Sequence, residues 1–214
     1  MNITSLLIFG IMGLLIGFNV QKIAQQIIKY KKKAKGINVI LYSKPMRGVI
    51  TVMNGIMWGL AGNNIDNTII GLMIALQLTI GIIIAFIDLD IRIIPNELVL
   101  TMIIVGIIFQ ITYFGFNGLI VASISMIVMM IAFTSVAGFV GFGKVGAGDV
   151  KLAGAIALAL GYPLVSLAVI TMAVVLLIYI TVGYALKKVY LTTMLPLAPF
   201  LISGYTAALV SIIV

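Results

Sequence analysis

The sequence predicts an all-α integral membrane protein of about eight transmembrane helices, with a polar notch facing the cytoplasm. Three observations carry this. First, 63% of the 214 residues are hydrophobic and only 8% are charged, where a soluble domain carries about 25% charged residues. Second, the mean hydropathy is +1.32, and the apolar residues fall into runs near the roughly 20 residues that a spanning helix needs. Third, the basic residues sort to one side of those runs. The length leaves no room for a separate soluble unit, so residues 1–214 are read as one membrane domain.

The runs follow in order. The first span is expected at about 3–20. Its flanks do not suit a cleaved signal, because the first cation is Lys22 and no small-residue cleavage site follows. A basic loop over 21–47 carries Lys22, Lys29, Lys31, Lys32, Lys33, Lys35, Lys44 and Arg47. Further spans are expected at about 48–62 and 68–87, separated by Asn63-Asn64-Ile65-Asp66-Asn67. The third span ends at Asp88, and a polar loop follows with Asp90, Arg92, Pro95, Asn96 and Glu97. Spans at about 98–114 and 119–140 flank a turn at Gly115 to Gly118. A glycine-rich segment, 141–149, then opens a short apolar run to Leu160. Gly161-Tyr162-Pro163 breaks the chain before the seventh run, which ends at Lys187, and the last span is expected at about 191–214.

With eight alternating crossings, all 13 cations fall on one side and Asp66 is the one charge on the other. Excess Lys and Arg mark the cytoplasmic side, so both termini are expected to face outward. The net charge of +8 is then a topology signal and not a nucleic-acid footprint. Asp88, Asp90, Glu97 and Asp149 share the cytoplasmic face. From Asp149 to Leu160 the run gives only about 18 Å of helix, against a hydrocarbon core of about 30 Å. Irregular backbone at depth is tolerated where it lines a wet cavity, so Asp149 is expected near the floor of a notch.

The chain has no cysteine and no histidine, which excludes thiol nucleophiles, Ser–His and Cys–His pairs and the common zinc sites. Acid–base chemistry must come from carboxylates, lysines or tyrosines. Two segments stand out. Gly146-Ala147-Gly148-Asp149-Val150-Lys151-Leu152 places a carboxylate at a helix start after a flexible backbone. Ile87-Asp88-Leu89-Asp90-Ile91-Arg92-Ile93-Ile94-Pro95-Asn96 places one at a span end. Taken singly, each reads more simply as a helix cap or a hydrated loop. Carboxylates at a bilayer are costly and by default functional, so the pair carries more weight than either member. The Walker spacing of a phosphate loop is absent.

Together the two segments resemble the type IV prepilin peptidases, which include the archaeal preflagellin peptidases and have a GxGD motif. The resemblance lies in Asp88 with Ile94-Pro95-Asn96, in Gly146-x-Gly148-Asp149-x-Lys151-Leu152, and in the late run Leu195-Pro196-Leu197-Ala198-Pro199-Phe200. It covers the chain from about residue 48 onward. It implies Asp88 and Asp149 as the catalytic pair of an aspartic endopeptidase, with Asp90, Gly146, Gly148, Lys151, Pro95 and Asn96 in support. It implies no metal and no cofactor. Its substrates would be prepilin-like precursors with a polar leader and an apolar helix, cut at the cytoplasmic face of the cell membrane. The cysteine-rich segment of many bacterial members is missing from the first loop, and the N-methyl transfer linked to those members is set aside with it.

Two carboxylates suffice for peptide hydrolysis, because two like charges about 3 Å apart hold one proton between them. The helix ends predict that Asp88, at a helix C-terminus, carries that proton and that Asp149, at an N-terminus, is ionised. The alternative is a cation- or proton-coupled transporter, which would place its carboxylates near mid-span. A hard-cation site built from Asp88, Asp90, Glu97 and Asp149 is a third reading. Elsewhere, Gly13 with Gly17 and Gly55 with Gly59 predict close helix contacts. Asn54, Gln77 and Gln110 read as interhelical bonds, and Trp58 as an outer-interface anchor. The lysines at 29–35 read as topology determinants facing membrane lipid.

Overall fold

The computed structural model describes residues 3–31, 43–63, 67–140, 146–187 and 195–213, and every element within them is an α-helix. They are α1 (Ile3–Lys31), α2 (Lys44–Asn63), α3 (Thr68–Ile91), α4 (Asn96–Val140), α5 (Ala147–Leu160), α6 (Leu164–Ala185) and α7 (Ala198–Ile213). Residues 32–42, 64–66, 141–145 and 188–194 lie outside the described set, and so do parts of the expected first loop and glycine-rich segment.

Among the described residues, four helices are long and apolar enough to cross a membrane: α1, α3, α4 and α6. The expected count of eight is not reached on that measure. Helix α2 carries Lys44, Arg47 and four glycines, whereas α5 and α7 have only 14 and 16 residues. Helix α4 has 45 residues but is not one rod. Gly115 sits inside it at φ 72° and ψ −172°, a conformation that glycine adopts without penalty. The turn expected at Gly115 is therefore present as a break between two helical stretches.

Two element bounds differ from expectation for a shared reason. Helix α1 continues to Lys31, through residues expected as loop, because Val20, Ala24 and Ile28 carry its buried face onward. These residues pack with Ile50, Ile82, Ile83 and Ile87 in a cluster beside the lower end of α3. Spacings of four residues keep that face on one side of the helix, and the lysines between are exposed. Helix α3 likewise runs past Asp88 to Ile91, stopped by Arg92 in the left-handed region at φ 52°.

The main core joins α2, α3, α4, α5 and α7, with Phe9 of α1 and Ala168 of α6 added. Helix α3 is central and two-thirds buried over its most apolar stretch, whereas α6 buries only Ala168. The expected close contacts of α1 with α2 are present: a Cβ on Gly17 would lie 3.0 Å from Thr51 Cα and from Asn54 Cβ. Trp58 is a correction. It is 1% exposed, lies against Phe9, and donates its indole N–H to Thr79 Oγ1 at 2.9 Å. An indole whose N–H has a buried acceptor has no need of the water interface. Asn54 and Gln110 do bridge helices as expected, donating to Gly13 O and Ala159 O at 2.8 Å each.

Candidate active site

The site forms where α3 ends, α4 begins, α5 begins and α7 begins. Helix α3 delivers Asp88 one turn before its C-terminus. The Arg92 N–H closes that turn on Asp88 O at 2.9 Å. The chain then passes Ile93 and Ile94 to the buried Pro95, which sets the start of α4 at Asn96.

Helix α5 delivers Asp149 from the opposite wall. Gly146 is the N-cap, and the Asp149 N–H reaches Gly146 O at 3.0 Å. The Asp149 side chain reaches back, its Oδ2 accepting the Gly146 N–H at 2.9 Å. This is the side-chain half of a capping box, with the acid three residues after the cap. Gly148 faces Ile94, and a Cβ there would lie 3.2 Å from Ile94 Cβ. The small residue lets α5 close on the α3–α4 junction.

Between these walls lies a cavity of about 260 Å³ lined by Asp88, Arg92, Ile93, Ile94, Asn96, Gly146, Gly148, Asp149 and Lys151. The two aspartates, 61 residues apart in the chain, thus share one cavity. Asp88 is 4% exposed and Asp149 is half-buried. Lys151 Nζ donates to Asn96 Oδ1 at 3.4 Å, across the rim from α5 to α4. Asp90 is half-buried and Pro95 is buried, and neither is part of the lining. Glu97 faces away and pairs with Lys31 at 2.6 Å. No group of three or more acidic side chains suited to a metal ion occurs among the described residues.

Sequence reasoning missed two parts of this site. Arg92 and Ile93 line the cavity beside the motif residue Ile94, though in the motif they stand only as spacers. The fourth wall was missed as well. The Ala198 N–H, at the first residue of α7, donates to Asp88 Oδ2 at 3.1 Å in a buried setting. Each aspartate therefore has one oxygen held by a backbone N–H, and α7 brings a positive helix end to Asp88. The asymmetry expected from helix ends counted only α3, and the N-terminus of α7 adds an opposing influence that favours the ionised form of Asp88.

A family model described as the type IV leader peptidase family matches residues 75–212. The chain belongs to the type IV leader peptidase family. Both aspartates, the cavity and the Ala198 donor fall inside the matched region, and α1 and α2 fall outside it. No curated protein and no solved structure matches the chain. Membership in this family makes it a membrane-embedded peptidase acting on precursor proteins.

Proposed function

We propose that this peptidase is an aspartic endopeptidase that removes the leader of type IV prepilin-like precursors at the cytoplasmic membrane face, with Asp88 and Asp149 as its dyad. The observation that supports this most is that the two aspartates line one small cavity, each with Oδ2 fixed by a backbone N–H. The remaining oxygens are the ones the chemistry uses. The ionised carboxylate takes a proton from the attacking water, and the protonated one donates to the scissile carbonyl and then to the leaving amine. The scaffold meets the geometric demand of such catalysis by holding both groups on helix ends.

The topology belongs to the same reading. Eight crossings, counting α4 as two at Gly115, put the basic residues on the cytoplasmic side. At 1.5 Å per residue, α5 and α7 are about 21 and 24 Å long, shorter than a hydrocarbon core of about 30 Å. Short helices that begin at Ala147, two residues before Asp149, and at Ala198 suit a site recessed from the surface and open to water. A polar leader followed by an apolar helix is a substrate that straddles that boundary. The transporter alternative needs carboxylates at mid-span, whereas Asp88 and Asp149 are within one turn of helix ends.

The test is cleavage of a pilin-like precursor in membranes by Asp88→Asn, Asp149→Asn and Asp90→Asn. The first two are expected to abolish cleavage and the third to retain most of it. Full activity in both Asp88→Asn and Asp149→Asn ends the dyad reading.

A further inference from the structure

The start of α7 has an unusual distribution of backbone donors. A helix normally begins with four N–H groups that have no acceptor within it. Here Pro199 has none to offer. The Phe200 and Leu201 N–H groups both bond to Leu197 O, each at 3.1 Å. Of the first four residues of α7, Ala198 alone keeps a donor without an acceptor at its own helix start. Ala198 is fully buried, where an unpaired N–H costs about as much as a lost hydrogen bond. Its acceptor is a carboxylate oxygen 110 residues away in the chain.

The register that aligns donor and acceptor is set along the whole seam of α3 and α7. Ala198 meets Asp88. A Cβ on Gly81 would lie 3.1 Å from Ile202 Cγ2. Farther along, the buried Tyr205 hydroxyl donates to Gln77 Oε1. The steps 88, 81, 77 on α3 and 198, 202, 205 on α7 are near-heptad spacings of an antiparallel pair, which keep one face of each helix in contact. Turning the Asp88 side chain would break its bond to the Ala198 N–H.

We propose that the Ala198 backbone N–H is the positioning donor for Asp88, holding Oδ2 so that the other oxygen faces the cavity. The proposal rests on the dyad reading, since it assigns a geometric role to a partner of Asp88. The group acts through Asp88 and does not touch substrate. The Pro196–Pro199 run acquires a specific role in consequence, because the prolines flank the donor and Pro199 supplies no competing one.

Proline is well tolerated at the first position of a helix, so Ala198→Pro removes the N–H while keeping the backbone angles that α7 needs. In the membrane-embedded full chain, Ala198→Pro is expected to lower kcat about a hundredfold, the size of effect that misplacing a catalytic group produces. KM should stay within about threefold, because ground-state binding is untouched. Ala198→Gly keeps the N–H and should recover turnover to within about fivefold of the parent. A Pro variant as fast as the parent, or a Gly variant as slow as the Pro variant, overturns the proposal.

A second measurement does not depend on the Pro variant folding. Amide exchange at Ala198 in Asp88→Ala is expected to be at least about tenfold faster than in the parent, as for any amide that loses its acceptor. Unchanged exchange overturns the proposal. The two readings also fail separately. Cleavage by Asp88→Asn removes the dyad, whereas an inactive Asp88→Asn beside a fully active Ala198→Pro removes only the positioning role.

Discussion

The α1–α2 hairpin and the α3–α7 bundle are built on different principles. The hairpin holds eight of the 13 cations, and its described residues include no carboxylate. Its helices meet through glycines, with Gly13 against Trp58 and Gly17 against Thr51. The bundle holds four of the five carboxylates and the whole cavity. Its helices also meet at glycines, Gly106 against Ala159 and Gly204 against Ala168, but it adds a backbone donor aimed at a carboxylate on another helix, the Ala198 N–H to Asp88. The family match begins at residue 75, inside α3, and leaves the hairpin out. Van der Waals packing of small residues is enough to associate helices in lipid, but catalysis needs directed polar contacts. The hairpin is thus a support, and it attaches to the bundle through the apolar cluster of Val20, Ala24, Ile28 and Ile50 with Ile82, Ile83 and Ile87, and through one buried chain in which Trp58 Nε1 donates to Thr79 Oγ1 and Thr79 donates to Asn54 Oδ1.

This division predicts that damage to the bundle lowers turnover and damage to the hairpin lowers stability. The largest effect is expected for Gly148→Leu. Its side chain would enter the 3.2 Å gap to Ile94 and drive α5 from the α3–α4 junction, separating the aspartates and lowering kcat by about a hundredfold. A Leu variant with parental kcat would break the comparison on the bundle side. Next is Gly13→Leu, where a Cβ alone would lie 2.5 Å from Trp58 Cβ. Overpacking of this kind costs about 1–3 kcal/mol, read as a lower unfolding midpoint in detergent. Molecules that remain folded should cleave at the parental rate, and a kcat loss like that of Gly148→Leu would sink the division.

Thr79→Val sharpens the boundary between the regions. It strands the Trp58 N–H and the Asn54 carbonyl together, and such bonds between membrane helices are worth about 0.6–1.7 kcal/mol. The expected outcome is a modest fall in midpoint with kcat unchanged. The smallest effect belongs to Lys31→Ala. The Lys31–Glu97 pair does join α1 to α4, but both groups have access to water, and exposed pairs contribute little. No measurable change in midpoint is expected, and a clear drop would mean that the hairpin is fastened at its polar end after all.

Much of this was legible in the sequence because membrane helices announce themselves by apolar runs, and costly carboxylates announce the site. The alternation of crossings alone assigns Asp88 and Asp149 to one face, with no knowledge of their shared cavity. The failures have physical causes. A buried Trp58 and an interfacial one have the same sequence neighbours, and only the position of Thr79 across the helix pair tells them apart. The span count of eight reaches beyond the four long apolar helices, because α2 carries Lys44 and Arg47 and α5 and α7 have only 14 and 16 residues. The Ala198 donor is a backbone atom, so no side chain advertised it. Only the prolines at 196 and 199 marked the place.

The break at Gly115 turns the number of crossings into something that can be read directly. A Cβ added there would meet no atom within 4 Å, so there is open space beside the backbone at Gly115. Asn96 lines the cavity and Gly115 lies 19 residues beyond it, about 28 Å along a helix axis, close to the thickness of a hydrocarbon core. A short hydrophilic tag inserted at Gly115 should therefore be accepted without disturbing the bundle. An impermeant label applied from outside intact cells would reach that tag only if the two stretches of α4 are separate crossings.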